Sequence, residues 1–402
     1  MIDTKRIGLA VAAVLWAPAA QAAPEGAGLV PPAMALPVPS GLLDSLLVLT
    51  FFAHLVLVNI LLGSVLLAIL DRRGTASDAP GGVAFLPKTL ALAVNFGIAP
   101  FLFLQVAYGH FLYPGIVLMA VWWLGVILFV MLGYYGLYVS DGAVAPSRRG
   151  PVLALTALLL LMTAFLLTNA STLMLRPAFW FQWFAEPHGT ILNLHDATLF
   201  PRYLHIILAS LAVGGLTMAW RARWSARRSG AETESGADSG PGAGAAGGAD
   251  EAGRHFRRGL DWFFFVSLAQ IPVGLLFLFS LPPEVRSLFL GGSVLHTAAL
   301  PLALAGLLLA LLSARRGELG RTTAAALGII LMMVCVRDMV RGAMLAPYAE
   351  TPSAAPVALA MPHGQTAALA LFLVCAACVA AVLVWLARVL RNVNRNVGQG
   401  VE

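Results

Sequence analysis

Four histidines fall inside strongly apolar stretches: His54, His110, His205 and His296. An imidazole at membrane depth costs free energy unless it has a partner, so each is a functional candidate by default. His205 lies one turn into Pro201-Arg202-Tyr203-Leu204-His205, followed by Ile-Ile-Leu-Ala-Ser-Leu-Ala-Val-Gly-Gly. His54 lies in Phe51-Phe52-Ala53-His54-Leu55, with Asn59 and Gly63-Ser64 beyond it. The chemistry that most often uses such residues is axial ligation of haem iron. A histidine merely hydrogen-bonded to a neighbouring helix accounts for each position as well. Near the end of another apolar stretch stand Arg337-Asp338 and Arg341, whose guanidinium forks match carboxylates such as haem propionates. Pairing with Asp338, or snorkelling, explains those arginines equally well.

The elements that must position these residues are membrane helices. The chain has 402 residues, is 59% hydrophobic and only 11% charged, where a soluble domain carries about 25% charged residues. Mean hydropathy is +0.85. Apolar runs long enough to cross a bilayer of ~30 Å are read near 43–70, 85–111, 115–139, 151–175, 200–220, 259–281, 293–313, 322–345 and 366–390. The expected fold is therefore all-α, a polytopic bundle of about nine spanning helices. Residues 1–22 read as a signal peptide, with Lys5 and Arg6, a short apolar stretch and Ala20-Gln21-Ala22 before the cleavage point. Residues 23–42 form a periplasmic segment, 43–224 helices one to five, 225–253 a disordered cytoplasmic linker, 254–392 helices six to nine and 393–402 a cytoplasmic tail. The linker assignment rests on its Ser, Gly, Ala and acidic composition.

The net charge of +6 does not signal nucleic-acid binding, because the arginines sit in short loops beside apolar helices. With the mature N-terminus outside, 18 of the 25 Lys and Arg fall on the cytoplasmic side. Five (Arg176, Arg202, Arg286, Arg337 and Arg341) fall outside, and two belong to the signal peptide. That bias gives an N-out, C-in topology, in the inner membrane of a bacterium. Under it His205 and His296 lie at similar depth near the outer face, which suits the two axial ligands of one low-spin haem b. His54 lies nearer mid-membrane and suits a second haem, and His110 closes helix two. His188, His195 and His363 read as loop residues and His255 as part of the linker. Gly214-Gly215 would admit a porphyrin or a neighbouring helix. Met339 and Met344 are soft side chains whose usual role is packing. The aromatic loop 176–200 (Trp180, Phe181, Trp183, Phe184) suits an interfacial belt or a docking surface. Cys375-Ala-Ala-Cys378 is not followed by histidine, so it is no covalent haem site.

Several stretches together resemble subunit I of the cytochrome bd quinol oxidases, most clearly over helices one to five. They are His54-Leu-Val-Leu-Val-Asn-Ile-Leu-Leu-Gly63, Val94-Asn95-Phe96-Gly97, Thr168-Asn169-Ala-Ser-Thr-Leu-Met174-Leu-Arg-Pro177 and Arg202-Tyr-Leu-His205. The resemblance implies that His205 ligates a low-spin haem b and His54 a haem of the family's dihaem site. It also implies a quinone substrate and a second membrane subunit. The chain departs from the family in specific places. Gln105 stands where helix two carries a glutamate, which places it among the cofactor-binding candidates, and helix three lacks its glutamate. His296 stands near the family's methionine ligand, helix eight lacks the glutamate ligand, and the long quinol-binding loop shrinks to Pro282-Pro283-Glu284-Val-Arg286. The resulting expectation is a haem b electron-transfer subunit of an oxidoreductase complex, exchanging electrons between the quinone pool and a periplasmic c-type cytochrome. Two alternatives stand beside it. One is a terminal oxidase reducing oxygen at a haem on His54; the other is a non-haem transporter or assembly factor.

Overall fold

In a bilayer every backbone N–H and C=O must be satisfied within the segment, so apolar runs of this length become helices. The computed structural model describes residues 25–33, 36, 38–70, 83–143, 146–235 and 243–349, with some positions between 370 and 389. Among these residues all regular structure is helical, and eight helices are long and apolar enough to cross a membrane. They are α1 (Ser40–Leu70), α2 (Leu86–Leu118), α3 (Ala120–Tyr138), α4 (Pro146–Met174), α5 (Leu199–Ser235), α6 (Ala243–Ser280), α7 (Val294–Arg315) and α8 (Leu319–Ala349). The protein is thus an all-α, multi-pass helix bundle. The eight helices correspond to the first eight apolar runs. The ninth run, the signal peptide and His363 fall largely or wholly outside the described residues.

Two boundaries differ from the sequence reading. Helix α2 continues through Pro114 to Leu118, with Tyr108 off helical geometry (φ −131°, ψ 23°). His110 therefore sits inside α2 rather than at its end. Proline at 114 removes one backbone bond without stopping the helix, because surrounding helices hold the segment in place. Helix also runs through Ser235 and resumes at Ala243, where the composition predicts an irregular linker over 225–253. Ala, Arg and Glu are strong helix formers, so α5 and α6 extend past their apolar parts. A glycine-dependent cap ends α7: Gly317 (φ 71°) and Glu318 donate backbone N–H bonds to Ala314 and Ser313.

Helices α1 and α5 form the centre. Helix α1 packs on α2, α4, α5 and α8, and α5 packs on α1, α4, α6 and α8. Helices α3 and α7 lie at the periphery on α4 and α8 respectively. The central pair touch backbone to backbone. A Cβ on Gly63 would lie 1.8 Å from the Ser210 carbonyl oxygen, and one on Gly214 would lie 2.6 Å from the Gly63 carbonyl carbon. Gly215 makes the same kind of approach to Gly259 of α6. The Gly214-Gly215 pair therefore admits neighbouring helices on both sides. At the end assigned as outer by the arginine bias, the segment 176–198 is tied down by buried polar groups. Asn193 donates to Asn169 Oδ1 and Thr172 Oγ1 (both 3.2 Å), and Asp196 accepts from Thr198 N (2.7 Å) and Arg176 Nη1 (3.4 Å). Trp180 is buried and donates to the Leu173 carbonyl at 2.8 Å, while Phe184 is exposed.

Candidate functional site

The register of the central pair fixes the depth of its histidines. Ser210 Oγ donates to Asn59 Oδ1 at 2.8 Å, and Gly63 faces Ser210 and Gly214, so α1 and α5 run parallel. His54 and His205 each lie five residues outward of the Asn59–Ser210 bond. At 1.5 Å per residue both stand about 7.5 Å outward of it, so His54 is level with His205 and not nearer mid-membrane as its distance from the helix start implies.

Their surroundings differ. His54 Nδ1 is 2.9 Å from the Ala93 carbonyl oxygen of α2. A carbonyl only accepts, so in the neutral ring Nδ1 carries the proton and Nε2 the lone pair. Such a backbone bond to the second ring nitrogen is also what orients ligating histidines. Gly97 makes room for the ring, since a Cβ there would lie 2.8 Å from His54 Cε1. His205 faces α6, where Gly274 lies beside its ring, with a built Cβ 3.9 Å from Cε1. Its Nδ1 is buried and has no hydrogen-bond partner.

Outward of the histidines lie three guanidinium groups. Arg202, one turn before His205, sits 5.2 Å from the Phe277 ring, with Nε and Nη2 buried and without acceptors. Arg337 sits 4.4 Å over Phe51, one turn outward of His54 on α1. Arg341 sits 4.3 Å over Tyr108 and pairs with Asp338, while its Nε has no acceptor. Tyr108 donates to Asp44 Oδ1 at 3.2 Å. Arg202 and Arg341 are both close enough to act electrostatically on Arg337. Like charges crowded away from water raise one another's energy, and the effective cost of a buried ion is several kcal/mol unless something answers it. Aromatic faces return only part of that, about 0.5–2 kcal/mol each. Asp196 acts on Arg202 and Asp44 on Arg341 electrostatically, and Asp338 pairs with Arg341, yet Arg202 Nε and Nη2 and Arg341 Nε keep no acceptor.

The remaining sequence candidates divide cleanly. Arg337 and Arg341 join the cluster, and Gln105 is half-buried on α2, one turn before Tyr108. His296 is half-buried in the first turn of α7, with Nδ1 2.9 Å from Ser293 Oγ and its ring edge-on to Phe289 at 5.1 Å. No hydrogen bond, ion pair or ring contact joins it to His205 among the described residues. His110 packs beside Phe111 (4.2 Å). His255 is buried on α6, 3.7 Å from Glu251, and is thus part of a helix; His188 and His195 are exposed. Met339 and Met344 pack in the apolar layer around Phe289 and Val340. Among the described residues no three or more His, Cys, Asp or Glu converge to hold a free metal ion.

Arg202 is the residue the sequence reading left uncounted as a site candidate. Its signal was present: an arginine three positions before an intramembrane histidine shares its helix face. Compared with known proteins, the chain matches no family model, no curated protein and no solved structure.

Proposed function

We propose that the protein is a bd-oxidase-like membrane cytochrome b of a bacterial inner membrane. It carries electrons between the quinone pool and a periplasmic redox partner such as a c-type cytochrome, in a complex with a second membrane subunit. One observation carries this reading. At the level of His205 and just outward of it, His205 Nδ1, Arg202 Nε and Nη2, and Arg341 Nε are buried without hydrogen-bond partners. Buried donors in proteins are normally paired. A group bearing both a ligand-accepting metal and carboxylate arms answers all of them together.

Haem b supplies a one-electron carrier with two propionates. The chain's residues bind and orient it. His205 ligates; His54 is the ligand for a second haem, its tautomer set by Ala93. Arg202, Arg337 and Arg341 hold carboxylates on the outer side, which directs the carrier toward the periplasmic surface. His54 alone is a weaker pointer, because its bond to Ala93 satisfies it as a packing residue. A transporter or assembly factor would need the same orphaned donors to meet a different anion.

The first test is the dithionite-reduced minus oxidised spectrum of the purified, haem-supplied protein, with and without carbon monoxide. The expected result is sharp b-type bands insensitive to carbon monoxide and lost in part with His205→Ala. A carbon-monoxide-sensitive component that disappears with His54→Ala supports the second reading, a terminal oxidase, in which the His54 Nε2 lone pair holds a five-coordinate iron. Absence of haem bands from well-folded protein overturns both.

A further inference from the structure

At the opposite, inner end of the bundle a groove of about 510 Å³ runs between α5 and the start of α8. Its walls are Trp220, Arg223 and Arg227 of α5 and the segment Glu318–Arg321. Three guanidiniums meet one carboxylate there, leaving a net positive site. The carboxylate is partly committed: Arg321 Nη1 donates to Glu318 Oε2 at 3.0 Å in an exposed pair, which contributes little to stability. Arg223 and Arg227 are exposed one turn apart on the same face of α5.

The apolar side of the groove is equally ordered. Trp220 donates its indole N–H to Thr323 Oγ1 at 2.8 Å, bridging the two helices. From Thr323, steps of four residues along α8 lead to Leu327 and Leu331, which are both exposed. That row is a lipid-facing apolar stripe that starts at the basic groove and runs toward the bilayer centre. A tryptophan at the interface, arginines beyond it and an apolar stripe before it match one kind of ligand. Basic pockets between membrane helices on the cytoplasmic side bind anionic head groups.

We propose that this groove is a binding site for an anionic phospholipid of the inner leaflet. Its phosphate is held by Arg223, Arg227 and Arg321, Trp220 sits at the glycerol level, and one acyl chain lies along Leu327 and Leu331. The stripe is what favours a lipid over a free phosphate ion, which would use only the arginines. The site is independent of any cofactor and stands whether or not the protein carries haem.

Retention of phosphatidylglycerol and of phosphatidylcholine by the full-length protein in detergent, read by native mass spectrometry at fixed ionic strength, tests it. Wild type should retain the anionic lipid preferentially. Arg223→Gln/Arg227→Gln should lower its retention about twenty-five-fold, a loss of roughly fivefold for each arginine, with phosphatidylcholine unchanged. Leu327→Asp, which touches none of the arginines, should lower it as well. The exposed pair Arg254→Gln/Arg257→Gln, on the inner part of α6, should have no effect. An equal loss with that control pair overturns the proposal in favour of diffuse surface charge. Displacement of the lipid by millimolar inorganic phosphate, or indifference to Leu327→Asp, overturns it in favour of a free-anion site.

Discussion

The α1–α5 contact has two halves that obey different rules. Inward of His54 and His205, Gly63 and Gly214 bring the backbones together and Ser210 satisfies Asn59. The polar atom left without a partner there is a neutral hydroxyl, Ser64 Oγ, and no charged group is buried in the contact among the described residues. Outward of the histidines the same two helices stand beside α8, and the space holds Arg337 over Phe51 together with Arg202 and Arg341, whose donors are in part unanswered. A bundle that can close one half to glycine contact has no packing reason to keep buried guanidiniums in the other. The contrast separates a half built for stability from a half built to hold something.

The largest expected effect lies in the closed half. Gly63→Ala puts a Cβ 1.8 Å from a backbone carbonyl oxygen, an atom that cannot rotate away. Over-packing costs about 1–3 kcal/mol even where side chains give, and here a helix must shift. Thermal unfolding in detergent, followed by size-exclusion, should show a large loss for Gly63→Ala. Adding Gly214→Ala should cost less than the sum, because both break one contact. Wild-type stability for Gly63→Ala would erase the distinction between the halves.

His205→Ala sharpens the other side of the comparison. It removes a side chain whose Nδ1 has no partner in the protein, so thermal stability without haem should fall modestly or not at all. The low-spin b band of haem-supplied protein should vanish. An isolated packing histidine gives the reverse pattern, a loss of stability with the spectrum untouched.

Much of this contrast was legible in the sequence, and the illegible part has physical causes. Runs of apolar residues specify helices because lipid leaves the backbone no other option, so the first eight spans were readable. The end of α2 was not, since Pro114 reads as a breaker until neighbouring helices hold the segment. The extensions of α5 to Ser235 and α6 from Ala243 were hidden by Gly and Ser that lower helix propensity without abolishing it. At the site, membership in a membrane helix was readable, while relative depth and orientation were not: counting from helix starts sets His54 deeper than His205. Sequence places His54, His205 and His296 in membrane helices, but only the Asn59–Ser210 register sets the first two at one level. Likewise Arg337 and Arg341 were visible as arginines at a helix end, while their convergence with Arg202 depends on α8 packing beside both α1 and α5.

Arg202→Gln probes the open half without touching a ligand. Arg341 is a poorer choice, because its loss leaves the half-buried Asp338 unpaired, a separate penalty. A positive charge beside the cofactor stabilises the reduced, more negative state, so removing it should lower the midpoint potential. The expected drop is on the order of 59 mV, the one-electron equivalent of a tenfold change in equilibrium constant, with the band positions kept. An unchanged potential in redox titration would detach Arg202 from the site.

His296→Ala should have the smallest effect, and its size decides how far the open half extends. His296 Nδ1 is engaged with Ser293 and its ring with Phe289, at the start of a peripheral helix. Removing a half-buried, locally bonded side chain should cost no more than about 1 kcal/mol. It should also leave the His205-dependent band in place. The alternative follows from the sequence, which sets His296 and His205 at similar depth as a bis-His pair. If the variant turns the low-spin band into a carbon-monoxide-binding one, His296 is the second axial ligand. The start of α7 must then leave Ser293 and turn toward α5 when haem binds. Because Gly291 and Gly292 directly precede that turn, with Gly291 at φ 120°, the backbone there has the freedom to make such a movement. Spectra of His296→Ala with and without carbon monoxide therefore distinguish a pre-formed outer site from one completed on binding.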